Sequence, residues 1–126
     1  MNQGQRRSVR HKEQTATQQR KKACEFSAAE RQAIFERDGG CIFCKMGYEM
    51  SEYAGKYHSY AHYISRAHGG IGTRKNGVYL CQWHHNMMDN GNNGKRGEML
   101  GMVKEYLQEH YSDWKESDLI YSKWKF

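Results

Sequence analysis

The stretch Tyr60-Ala-His-Tyr-Ile-Ser-Arg-Ala-His-Gly-Gly-Ile-Gly-Thr-Arg-Lys-Asn-Gly-Val-Tyr-Leu-Cys-Gln-Trp-His-His-Asn-Met-Met-Asp-Asn-Gly91 decides the fold. Aromatic residues at 53, 57, 60 and 63 lead into it, and the run reads as a strand ending near Ile64. Ser65 to Gly77 carries Gly69, Gly70, Gly72 and Gly77, and is too polar and glycine-rich for a helix or a central strand. Val78-Tyr-Leu80 is a short second strand. Gln82 to about Asn90 is a helix, with Asn90-Gly91 as its stop. Strand, loop, strand and helix thus carry His62, Asn76, His84, His85 and Asp89, and the Gly-rich loop among them is one that no apolar core would demand.

Upstream, Ser27-Ala-Ala-Glu30 is a capping box that opens a helix, and Asp38-Gly39-Gly40 closes it. Ile34 and Phe35 are expected to touch the core, with Arg31 and Arg37 facing solvent or phosphate. Cys41-Ile-Phe-Cys44 follows as a tight knuckle, and Lys45 to Gly55 has turn character. Downstream, Arg96 to about Tyr111 is a long helix, with Leu100, Val103 and Leu107, and offset Met99, Met102, Tyr106 and His110, at helical spacing. Such a stripe is ordinary core packing. Ser112-Asp-Trp114 breaks the helix. Asp118 to Trp124 reads as a short helix or arm, docked by Trp114, Leu119 and Trp124.

The 126 residues suit one α+β domain. With a hydrophobic share of 37 % and a mean hydropathy of −1.05, the supply of core is thin and an additional staple is expected. No run approaches a membrane span, and the basic N-terminus lacks the apolar segment of a secretory signal, so a reducing cytoplasm is expected. Residues 1–22 hold Arg6, Arg7, Arg10, Lys12, Arg20, Lys21 and Lys22 against Glu13, a net of +6 that equals the whole chain's. The basicity therefore belongs to an arm, residues 1–23, expected to be disordered, ahead of a domain at 24–126. The arm either gains affinity for nucleic acid by releasing counterions from phosphates or is only a solvated extension.

Cys41-x-x-Cys44 and Cys81-x-x-His84 are two half-sites that together make a Cys3His tetrahedron. Zinc suits thiolates with imidazole, and four protein ligands make a structural site that contributes folding energy. The alternatives are disulfides, Cys41 with Cys44 and Cys81 with Cys24, or reduced cysteines with an unrelated His84. His85 could also replace His84 as the ligand. Cys24 is otherwise a free thiol.

In order, Arg37-Asp-Gly-Gly-Cys-Ile-Phe-Cys44, Ala61-His-Tyr-Ile-Ser-Arg66 with Gly69-Gly70, Asn76-Gly-Val-Tyr-Leu-Cys81, His84-His85 and Asp89-Asn-Gly91 resemble the HNH endonucleases. The likeness is to the small phage and bacterial members with a zinc frame. It covers about residues 24–124 and is strongest over 41–91. The resemblance implies a ββα-metal (His-Me finger) core at about 57–91, a helical part at 95–126, and hydrolysis of DNA phosphodiesters to 5′-phosphate and 3′-hydroxyl ends.

It casts His62 as general base, Asn76 as the residue that pins the loop, and His85 as ligand to a catalytic divalent ion. Neutral imidazole takes a proton near pH 7. Asp89, one helical turn after His85, can share the ion. Mg²⁺, Mn²⁺ or Ni²⁺ is expected there, beside structural Zn²⁺. Many relatives have Asp or His just before the base, as a metal ligand, where this chain has Ala61. Asp89 is the first substitute and His58 the second, since residues 58 and 62 share a strand face. Arg66, Arg74 and Lys75 flank the loop and are expected to hold DNA phosphates; the bland alternative is a solvated loop.

Relatives serve in packaging beside phage terminase, in homing or in restriction, in a bacterial host cell, and a monomer or weak dimer is expected. The competing reading is a catalytically weak or inactive zinc-binding adaptor for DNA or protein, which Ala61 favours. A zinc-finger regulator would need a basic recognition helix, and 82–90 carries no Lys or Arg.

Overall fold

The computed structural model describes residues 14–90 and 94–123. Helices α1 (Ala16–Cys24), α2 (Ala28–Asp38) and α3 (Ile42–Lys45) come first. Strands β1 (His58–His62) and β2 (Gly77–Cys81) follow, then helices α4 (Gln82–Asn90) and α5 (Arg96–His110). The strands pair antiparallel, from His58 opposite Cys81 to His62 opposite Gly77. The fold is therefore α+β, with a two-stranded sheet among helices. Among the described residues, no helix is long and apolar enough to cross a membrane.

Helix α1 corrects the expected disordered arm over the described part of residues 1–23; residues 1–13 lie outside the described residues. Thr15 and Gln18 form a complete capping box, Lys21 and Lys22 complement the C-terminal end of the dipole, and Cys24 is buried. At α2, Ser27 accepts from the Glu30 amide, but Glu30 does not complete the box. Its carboxylate grips Arg74 instead.

The core gathers Ile42, Phe43, Val78, Leu80, Met87, Met88, Met99, Val103, Leu107, Trp114 and Leu119. The long helix thus packs as its periodicity required, and Trp114 and Leu119 dock as expected. Trp124 and Gly91 lie outside the described residues. Where a short helix or arm is expected from Asp118, the chain makes a 3-10 turn at Glu116–Leu119.

Two expectations at α2 fail. Phe35 is 46 % exposed and meets Tyr79 edge-on, while Ile34 alone is fully buried. Arg37 faces neither solvent nor phosphate. It pairs with Asp38 at 2.6 Å and donates to the carbonyls of Arg74 and Gly77. Asp38 also accepts from Tyr106 and from the Tyr79 amide, so this buried pair ties α2 to β2 and α5.

The 65–76 loop contains two 3-10 turns and is fastened by both flanking segments. The Gly72 amide donates to Ala23, the Ile71 amide to Leu119, and the Tyr121 amide to Gly69. Close approach explains two glycines. A Cβ at Gly72 would lie 2.0 Å from the Glu25 carbonyl oxygen, and one at Gly70 would lie 1.7 Å from that of Ile64.

Candidate functional site

Helix α3 aims Cys41 and Cys44, and the junction of β2 with α4 aims Cys81 and His84, at one point. All four donor atoms lie within 4.8 Å of one another. His84 Nδ1 stands 3.5 Å from Cys41 Sγ, 3.5 Å from Cys44 Sγ and 3.3 Å from Cys81 Sγ; Cys44 and Cys81 are 3.7 Å apart. A tetrahedron with Zn–S of about 2.3 Å and Zn–N of about 2.0–2.1 Å has edges of about 3.8 Å and about 3.6 Å. The cluster thus has the dimensions of a Cys3His site and could hold a metal such as zinc. His84 Nε2–H donates to the Tyr48 carbonyl at 2.6 Å, which fixes Nδ1 as the ligating nitrogen.

No disulfide forms, and Cys24 is a buried free thiol away from the cluster. His84, not His85, completes it. Burial raises the Cys41 thiol, and burial with the Cys41 charge pushes Cys44 up to about 12. A cation relieves that crowding of charge.

Apart from the cluster, and sharing none of its residues, lies a cavity of about 470 Å³, lined by Glu25, Phe26, Arg31, Tyr60, His62, Ser65, Arg66, His85 and Asp89. His62 and His85 therefore meet in one space, together with Asp89. His62 Nε2 is 2.7 Å from the Cys24 carbonyl. A carbonyl only accepts, so Nε2 carries the hydrogen and Nδ1 keeps its lone pair. Phe26 lies against the ring at 4.3 Å between centroids. Burial lowers the His62 pKa, against the Cys24 hydrogen bond, and Arg66, Asp89 and His85 are near enough to act on its charge. Burial thus favours the neutral imidazole at pH 7.

His85 is held between Ser59 Oγ, 2.6 Å from Nδ1, and Asp89 Oδ2, 2.9 Å from Nε2. The hydroxyl can donate or accept, so Ser59 serves either tautomer. In one, Nε2–H donates to Asp89; in the other, Nε2 and the carboxylate both present lone pairs.

Asn76 is fully buried and does not line the cavity. Its Oδ1 accepts from the Ile64 amide at 2.8 Å, and its Nδ2 donates to the carbonyls of Ile64 and Ile71 at 3.1 and 2.9 Å. It pins the loop to the end of β1.

Three of the expected site residues, His58, Arg74 and Lys75, do not line this cavity. His58 shares the strand face with Tyr60 and His62 but stacks on Tyr79 at 5.0 Å, about 13 Å along the strand from His62, outside the cavity. Arg74 is closed in a two-pronged pair with Glu30. Lys75 pairs with Asp113 at 2.8 Å. Neither lines the cavity, whereas Arg66 does. Ala61 packs into the core and offers no ligand.

Sequence reasoning missed the segment 24–26, which supplies the carbonyl and ring that hold His62, and it placed Arg31 toward solvent or phosphate without linking it to this cavity. The Thr15-x-x-Gln18 box was the available signal for the helix that delivers this segment. Compared with protein-family models, curated proteins and solved structures, the chain finds no match.

Proposed function

We propose that this protein is a metal-dependent endonuclease of the HNH type that hydrolyses DNA phosphodiester bonds. One observation carries the reading: His62 is held as a neutral base, its Nε2–H spent on the Cys24 carbonyl, in the cavity that His85 and Asp89 share. The order of β1, loop, β2 and α4 supports a ββα-metal core, and the Cys3His cluster supports structural zinc beside it.

In this mechanism His62 Nδ1 takes a proton from water as the water oxygen attacks phosphorus. The P–O3′ bond breaks and the leaving 3′-oxyanion takes a proton from solvent water, giving 5′-phosphate and 3′-hydroxyl ends. Burial disfavours the resulting imidazolium, so His62 readily gives the proton up again. His85 Nε2 and Asp89 Oδ2, 2.9 Å apart, suit adjacent corners of an octahedron with bonds of about 2.1 Å. When bound there, Mg²⁺, Mn²⁺ or Ni²⁺ supplies charge to polarise the phosphate and stabilise the leaving oxyanion. Asn76 holds the loop that carries Ser65 and Arg66.

Ala61, buried where many relatives carry a ligand, favours a second reading: a zinc-stabilised adaptor for DNA or protein. Supercoiled plasmid with each divalent ion, beside EDTA and the His62→Ala variant, separates the two. Metal-dependent nicking that the variant lacks is expected. No cleavage by folded, zinc-loaded protein with any of the ions would sink the nuclease reading.

A further inference from the structure

We infer that Arg31 contacts the substrate, gripping a backbone phosphate of nucleic acid laid over the His62–His85–Asp89 cavity. The inference deepens the nuclease reading and rests on it. Arg74 and Lys75 are spent on Glu30 and Asp113. Arg66, at the cavity, stands 3.7 Å from Glu25. Arg31 lines the same cavity, is exposed, and has no carboxylate partner among the described residues.

Its Nη1 donates to the Phe26 carbonyl at 2.6 Å. That bond aims the side chain without neutralising it, and leaves the other guanidinium N–H groups for an anion. The position sharpens the point. Arg31 stands four residues into α2, near the positive end of the helix, where the dipole disfavours a cation and favours an anion. Its neighbour Glu30, which would compensate it, is committed to Arg74. A cation pinned there without a counter-charge is matched when a phosphodiester arrives. The planar fork then offers two N–H groups to one phosphate.

The test compares wild type, Arg31→Ala, Arg31→Lys and Arg74→Ala, all zinc-loaded. Plasmid nicking gives kcat/KM. Fluorescence anisotropy with a 20-base-pair duplex over a salt series, in buffer without added Mg²⁺, Mn²⁺ or Ni²⁺, gives affinity without cleavage. Arg31→Ala is expected to lower kcat/KM on the order of 10- to 100-fold, as loss of a charge-assisted contact should. It should also reduce the salt slope of duplex binding by about one. Arg31→Lys should recover part of both, and Arg74→Ala should leave the slope unchanged while lowering Tm. Arg31→Ala equal to wild type in both rate and salt slope overturns the inference. If wild type does not cleave, the nuclease reading falls, and duplex affinity with its salt slope still decides whether Arg31 meets phosphate.

Discussion

Replacing Asn76 with alanine removes three hydrogen bonds from a site with no access to water. The Ile64 amide loses its acceptor, and the Ile64 and Ile71 carbonyls lose a donor. Each bond is worth about 1 kcal/mol net, about 3 kcal/mol together, and the stranded amide and the void add up to about 1 kcal/mol more, so the loss should be ~3–4 kcal/mol. Against a total of ~5–15 kcal/mol this is severe. At ~4 °C per kcal/mol for a domain of this size, Tm should fall by ~12–16 °C. Asn76→Asp tests the same geometry by charge. The carboxylate keeps the Ile64 amide but faces two carbonyl oxygens, so its folded-state pKa is raised. The folded state then binds more protons than the unfolded one, and stability relative to wild type falls as pH rises above ~4. Calorimetry and urea denaturation of zinc-loaded protein at pH 5 and 8 measure both effects. A Tm drop below ~4 °C for the alanine variant, or an aspartate variant no worse at pH 8 than at pH 5, would refute the reasoning.

Purified protein should carry one zinc per chain. Its cobalt form should show thiolate charge-transfer bands that Cys44→Ser weakens, and chelation should lower Tm by more than ~15 °C, because metal affinity is folding energy here. The rate of plasmid cleavage should be level above pH 7 and fall only below 6.5, since burial lowers the pKa of His62. Stability follows the same sign: the folded state resists protonating His62, so that part of the stability is intact above 6.5 and drains as pH falls through the lowered pKa. A rate limb centred above pH 7 would remove His62 as the base.

Much of this was legible because it is local. Ser27 before an amphipathic run, Gly39 with φ of +67° after it, and two Cys/His half-sites at spacings of three are short-range patterns with short-range causes. Whatever depends on distant partners was not. Arg37 reads as a surface cation until Asp38, Tyr106 and Tyr111 close around it. Arg74 and Lys75 read as unpaired loop cations, whereas the fold sets them against Glu30 and Asp113. His58 has the right parity for the site but not the right distance. The cavity wall from residues 24–26 depends on a contact between Cys24 and His62, 38 positions apart, which no local pattern announces.

The fastening of the 65–76 loop has a consequence for the order of assembly. Its amides at Ile71 and Gly72 pair with Leu119 and Ala23, each nearly fifty residues away. Closing such long stretches of chain is entropically expensive, so these contacts come late in folding, after the sheet and helices have condensed. On a ribosome, the chain would have released His62 and His85 long before residue 119 clears the exit tunnel. Through that interval the loop lacks its second anchor. The geometry of the cavity is therefore tied to the arrival of Leu119: until then the chain carries the side chains but not their arrangement.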